Sequence, residues 1–238
     1  MEQEQPMQQI SENFKAVQQR IEAACRRAGR DPAVVTLITV SKTIDVDRIN
    51  AAVAAGAATL GENRVQEVLA KRDAVSPEVR WHLIGHLQTN KVRQIIDKVD
   101  LIHSLDSLHL AEEIQKRAQL AGRTVDLLVE VNVGAEDSKF GLAPEAVRGF
   151  LESLQGMDRI RILGLMTVAP FLEDPESVRM VFRSLKGLFD ELKDLKLPNV
   201  QMMHLSMGMT HDFEVAIEEG ATMVRVGTGI FGARDYTA

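Results

Sequence analysis

Lys42 ends the run Val34-Val35-Thr36-Leu37-Ile38-Thr39-Val40-Ser41-Lys42, rich in β-branched residues and uncharged until its last position. That is the pattern of a strand covered on both faces. With side chains alternating, Thr36, Ile38, Val40 and Lys42 share one face. An amine at the end of a buried strand is costly to desolvate unless it is paired or used; used, it forms an imine with a carbonyl compound. Two later stretches, His204-Leu205-Ser206-Met207-Gly208 and Arg225-Val226-Gly227-Thr228-Gly229, offer a second chemistry. Glycines let the backbone close on an anion, amides donate to it, and hydroxyls add donors. Ser206, Met207, Gly227 and Thr228 supply those parts. Asp212 follows the first stretch, where a carboxylate would compete with phosphate, so the turn Gly227–Phe231 is the better cradle.

The elements that position these residues alternate strand and helix. Ile10, Phe14, Val17, Ile21 and Ala24 recur at helical spacing, and Gly29 with Asp31-Pro32 stops that helix. Strands are predicted to Lys42, over 57–62, 80–85, 101–104, 125–131, 160–166, 201–206 and 222–227, each followed by a helical pattern except the last. Eight such units in 238 residues point to an α/β fold, a (β/α)₈ TIM barrel spanning 1–238 as one domain. Too little chain follows strand eight for a closing helix, so the extra N-terminal helix is expected to cover that gap. In such a barrel the chemistry sits at the carboxyl ends of the strands, where Lys42, Asn63, His86, Met166, His204 and the two glycine-bearing stretches lie. Alternation also sends Arg225 inward near the upper rim. It reads either as a buried ion-pair partner, for example of Glu62 or Glu130, or as a cation facing a bound phosphate or a ring nitrogen. A lysine for an imine and an arginine for a pyridine nitrogen are what a protein contributes to pyridoxal phosphate chemistry.

Composition excludes other classes. A net charge of −6 argues against nucleic acid as a partner. One cysteine, Cys25, excludes a disulfide framework and fits a reducing compartment. The polar, acidic start is wrong for a signal peptide, and no apolar run approaches the roughly 20 residues that span a membrane. A cytoplasmic protein is expected, with no membrane partner. The six histidines show no spacing that places a metal on one helix face.

Several motifs in order, Val40-Ser41-Lys42-Thr43, Gly61-Glu62-Asn63-Arg64-Val65-Gln66-Glu67 and Trp81-His82-Leu83-Ile84-Gly85-His86-Leu87-Gln88, continue through Gly164-Leu165-Met166, His204 to Met209 and Arg225 to Gly232. Over nearly its whole length the chain resembles the YggS/PROSC family of pyridoxal-phosphate-binding proteins, the pyridoxal phosphate homeostasis proteins. The resemblance implies a barrel like the N-terminal domain of alanine racemase, with pyridoxal 5′-phosphate held as a Schiff base on Lys42. It also implies phosphate contacts from Ser206, Met207, Gly227 and Thr228, with Asn63, Arg225, Met166 and His204 completing the cofactor-binding set and no catalytic residue. The implied role is vitamin B6 homeostasis without catalytic turnover, the cofactor being handed to apo-enzymes by a protein expected to be a monomer. Two-sided proton transfer would need a second acid or base, which the related racemases take as a tyrosine from another domain. Here the only tyrosine is Tyr236. A weak amino-acid racemase using His204, His86 or Tyr236 is the alternative, and a Schiff-base aldolase on a sugar phosphate is a third reading. Lys139 is a rival imine former in what reads as an exposed loop.

Overall fold

Eight parallel strands close on themselves in chain order: β1 (Thr36–Val40), β2 (Thr59–Glu62), β3 (Arg80–Leu83), β4 (Leu101–Leu105), β5 (Val125–Glu130), β6 (Ile160–Met166), β7 (Val200–Met209) and β8 (Met223–Val226), with β8 hydrogen-bonded back to β1. The structure, a computed structural model, describes residues 4–134 and 140–233. The (β/α)₈ barrel expected from the strand–helix alternation is the fold observed. Alternation along the strands sorts the side chains. Ile38, Leu101, Leu128, Met166 and Met223 meet inside the barrel, with Ile84 and Leu163 against them. Leu60, Leu83, Ile102, Leu127, Val129 and Val224 point the other way, into a larger apolar layer under the helices.

Those helices are α1 (Glu4–Arg27), α2 (Val46–Ala54), α3 (Val65–Lys71), α4 (Val92–Ile95), α5 (Leu108–Leu120), α6 (Val147–Ser153), α7 (Arg179–Leu192), α8 (Phe213–Glu218) and α9 (Thr228–Phe231). Asp45 and Ser107 cap α2 and α5 by accepting from the amides of Arg48 and Leu110. Pro144 and Pro175 each open a 3₁₀ turn, so α6 and α7 begin later than the prolines suggest. Strand one is likewise shorter than the sequence pattern, because Pro32–Val34 form a 3₁₀ turn in which the Asp31 carboxylate accepts from the Ala33 amide. None of the described helices is long and apolar enough to cross a membrane.

After β8 only the single turn α9 is described, and α1 takes the place of a closing helix. Its buried face, Phe14, Val17, Ile21 and Ala24, packs against α2, α8 and α9. Asn13 Nδ2 donates to the Ile230 carbonyl at 3.0 Å, while Arg20 and Arg27 pair with Glu214 and Glu218 of α8.

The strand that departs most from expectation is β7, which runs on past Ser206 to Met209. Ser206 pairs with Met223 but Met209 pairs with Arg225, so β7 carries one residue more than β8 over this stretch. The extra residue is a bulge, and Gly208 inside it has φ 90°. A Cβ there would lie 2.5 Å from the Ala216 Cβ and 2.9 Å from the Phe213 Cα, so both conformation and space require glycine. Gly208→Ala should therefore destabilise the fold by about 2 kcal/mol or more. For a chain of this size that lowers Tm by about 5 °C or more. A variant melting together with the parent would show that β7 does not need this bulge.

Candidate functional site

At the carboxyl end of the barrel a cavity of about 570 Å³ opens between the ends of β1, β2, β7 and β8, a size typical of small-molecule sites. Lys42 enters it from the turn after β1, Asn63 from the end of β2, Arg225 from β8, and Gly227 and Thr228 from the turn that begins α9. Thus five of the residues singled out in the sequence line one cavity. Thr210, His211 and Asp212, which follow β7, line it too.

The turn carrying Lys42 is closed by a bond from the Ile44 amide to the Ser41 carbonyl at 3.0 Å. On the far side, the Thr210 hydroxyl oxygen accepts from the amides of Gly227 at 3.3 Å and Gly229 at 3.4 Å. Those amides converge on an oxygen acceptor, as an anion cradle must. A Cβ on Gly229 would come within 3.0 Å of Val226 and 3.1 Å of the Thr210 methyl, so the second glycine keeps this approach open. The Asp212 carboxylate is engaged by the Met209 amide at 2.6 Å, and burial raises its pKa.

Arg225 is 4% exposed and forms no ion pair with either carboxylate considered from the sequence. Its Nη1 donates to Ser206 Oγ at 2.6 Å and its Nη2 to the Thr167 carbonyl at 2.8 Å. Ser206 Oγ stands 3.0 Å from His103 Nδ1, and His103 Nε2 stands 3.0 Å from His82 Nδ1. A guanidinium has only donors, so Ser206 Oγ accepts from it, and the hydroxyl and the two imidazoles form one hydrogen-bonded line. Burial, with neighbouring positive charge, lowers the His82 pKa to about 3 and holds that of His103 well below the ordinary value. Both are neutral imidazoles at neutral pH. Burial also lowers the Arg225 pKa to about 10, opposed by the charges of Asp212 and Glu130, and Arg225 stays a cation.

Four sequence-derived candidates lie elsewhere. Ser206 is fully buried beneath the cavity, and reaches it only through Arg225. The Met207 side chain lies in the apolar layer outside the sheet. Met166 belongs to the cluster filling the barrel interior. His204 lines a separate cavity of about 490 Å³ among residues from the amino ends of the strands, with Thr36, Arg80, Asp126 and Arg161. The common reason on β7 is its length: with the strand extended and bulged, its rim lies at Met209–Thr210, and His204 falls near its lower half. Thr210 is a hydroxyl on the cavity wall that sequence reading missed, and Gly208, two residues before it, was the available signal. His86 is exposed, stacked on Phe140 and 3.3 Å from the Asp106 carboxylate. Lys139 and Tyr236 lie outside the described residues.

The chain is similar to known proteins over nearly its whole length. The model of the alanine racemase N-terminal domain family matches residues 8–235. The pyridoxal phosphate homeostasis protein of Aquifex aeolicus is 50% identical over 226 residues, covering 94% of this chain and 98% of that protein. The protein of the same name from Escherichia coli K12 is 36% identical, covering 97% and 99%. PipY of Synechococcus elongatus PCC7942, solved with PLP bound, superposes with a TM-score of 0.81 at 34% identity, covering 94% of this chain and all of that one. Alanine racemase from Bartonella henselae shares the fold, with a TM-score of 0.70 at 13% identity, and this chain covers 61% of it.

Glu130 provides a test of the rim's electrostatics. Burial, with the Asp106 charge, raises its pKa to about 7 against the opposing effect of Arg225, and its Oε2 is buried without a hydrogen-bond partner. The folded protein then keeps a proton that the unfolded chain releases. Stability should fall as pH rises from about 4.5 to about 7 and stay flat above, a difference of about 3 kcal/mol. Glu130→Gln should remove that decline, matching the parent near pH 5 and melting about 5 °C or more above it at pH 8. Thermal melts that run parallel across this range would contradict it.

Proposed function

The chain belongs to the family of pyridoxal phosphate homeostasis proteins, and we propose that it holds pyridoxal 5′-phosphate in the cavity between Lys42 and the Gly227–Thr228 turn, as a non-catalytic carrier that passes it to apo-enzymes. One observation carries this reading: an amine and an oxygen-accepting cradle line the same cavity. The donor set fits the group, since Thr210 Oγ1 already marks a point where backbone amides receive an oxygen. Lys42 would hold the cofactor through its amine, and the chemistry supplied there would be that of an aldehyde able to react with an amine and of a ring able to act as an electron sink.

The chain's own residues then divide the work. Gly227, Thr228 and Thr210 hold the phosphate, and Asn63 lines the wall beside Lys42. Arg225 places a buried cation in that wall, which opposes protonation of a basic nitrogen brought beside it. A ring kept unprotonated is a weaker electron sink, which supports binding over turnover. The homologues from Aquifex aeolicus and Escherichia coli, both named homeostasis proteins, support the same reading.

A weak amino-acid racemase is the second reading, favoured by His211 on the wall of the same cavity, its Nε2 2.9 Å from the Glu173 carbonyl. Deuterium exchange at an amino acid's α-carbon, abolished by His211→Phe, would establish it; its absence supports the carrier.

Lys42→Ala should remove the visible imine band and leave no borohydride-stable pyridoxyl adduct. A variant still labelled at a single lysine refutes the assignment. Thr210→Val and Thr228→Val should each weaken cofactor retention about tenfold, as loss of a hydrogen bond to a charged group does. If both retain it as tightly as the parent by equilibrium dialysis, the phosphate is held elsewhere.

A further inference from the structure

Beneath the turn that carries Lys42 lies a cluster of charges that stands outside the cavity. Lys71, the last residue of α3, has a side chain only 11% exposed, and Glu62 opposite it is fully buried. Lys71 Nζ donates to Glu62 Oε1 at 2.8 Å, to Glu67 Oε2 at 2.7 Å and to the Ser41 carbonyl at 2.8 Å. The Ser41 hydroxyl donates to the same Glu62 oxygen at 2.7 Å. On the other side, the Thr43 amide donates to Glu67 Oε2 at 2.6 Å. Lys71 and Glu67 thus grip the backbone immediately before and immediately after Lys42, and Glu62 holds the Ser41 hydroxyl and Lys71.

Two further facts give the grip a purpose. Thr43 has φ 65°, the only left-handed non-glycine residue among those described, and a β-branched residue holds that conformation only where its surroundings impose it. Burying an ion pair such as Lys71 and Glu62 is also a poor route to stability, because apolar residues of similar volume often serve as well. Apolar residues could not bond the Ser41 carbonyl or the Thr43 amide. Burial raises the Glu62 carboxyl, while Lys71 and Ser41 oppose it; burial of Glu67 is outweighed by its bonds from Lys71 and Thr43.

We propose that Lys71, with Glu62 and Glu67, positions Lys42: the triad sets the Ser41–Lys42–Thr43 turn so that the amine enters the cavity already oriented for the aldehyde. Lys71 is a positioning residue and acts through the backbone. The inference rests on Lys42 being the attachment point.

Two probes separate orientation from general damage. Pyridoxal 5′-phosphate needs the oriented amine, whereas pyridoxine 5′-phosphate, with an alcohol in place of the aldehyde, uses only the rest of the site. Lys71→Met should slow imine formation about tenfold or more, the scale of effect that misplacing a reacting group produces. Affinity for pyridoxine 5′-phosphate should stay within about twofold of the parent, since the phosphate cradle is untouched. Glu67→Gln should act in the same direction but less, and Lys71→Arg should recover part of the rate. Should Lys71→Met fail to fold with Glu62 unpaired, Lys71→Met/Glu62→Gln removes both charges and still frees the Ser41 carbonyl. Variants that form the imine at the parent's rate, or that lose both ligands equally, overturn the inference. A parent that binds pyridoxine 5′-phosphate and forms no imine overturns the assignment of Lys42 instead.

Discussion

The hydrogen bonding of β8 to β1, with Ile38 opposite Arg225 and Thr39 opposite Val226, closes the sheet and determines what the mouth of the barrel contains. Without that closure the amine after the first strand and the glycine turn after the last would be far apart. With it, both open onto one cavity, and the register aims Arg225 inward beside them. Parallel pairing also puts the carboxyl ends of all eight strands on the same rim, so each strand contributes whatever follows it to a common wall.

A charge as deeply buried as Arg225 persists only if its donors are met. The structure meets them with neutral groups, a serine hydroxyl and a backbone carbonyl, and then extends the line through two uncharged histidines. The carboxylates of Asp212 and Glu130 act from a distance. This division keeps the guanidinium cationic without neutralising it in a tight pair, so its charge remains available to the cavity. The apolar cluster from Ile38 to Met223 fills the barrel interior beside this line, whose far end, His82, lines the cavity at the amino ends of the strands.

Much of this was legible in the sequence. Lys42 stood out because nothing else charged interrupts its strand, and the turn at Gly227–Thr228 because glycines flank a hydroxyl after a valine-rich run. Arg225 was placed correctly by simple alternation. Alternation failed where the backbone departs from a regular strand. β7 has an added residue at Gly208, and the shift moves the rim from Ser206 to Thr210, so Ser206, Met207 and His204 are not among the residues that line the cavity. A bulge leaves little trace in hydrophobic pattern, since it alters pairing rather than composition. The clamp around Lys42 was invisible for another reason: Glu62 stood out only within a motif and as a candidate partner of Arg225, Glu67 only within that motif and Lys71 not at all, and only the packing of α3 against the turn brings them to Ser41 and Thr43.

The bond from Asn13 to the Ile230 carbonyl joins groups separated by 217 positions. It means that the glycine turn above β8 is braced by the helix that precedes β1, so the two sides of the barrel's closure hold each other. α2 covers one part of the apolar stripe of α1, and the rest is covered only by α8 and α9, from the far end of the barrel's strand order. A polypeptide cut before that turn would keep Lys42 but lack Gly227 and Thr228, the part of the cavity wall that faces it.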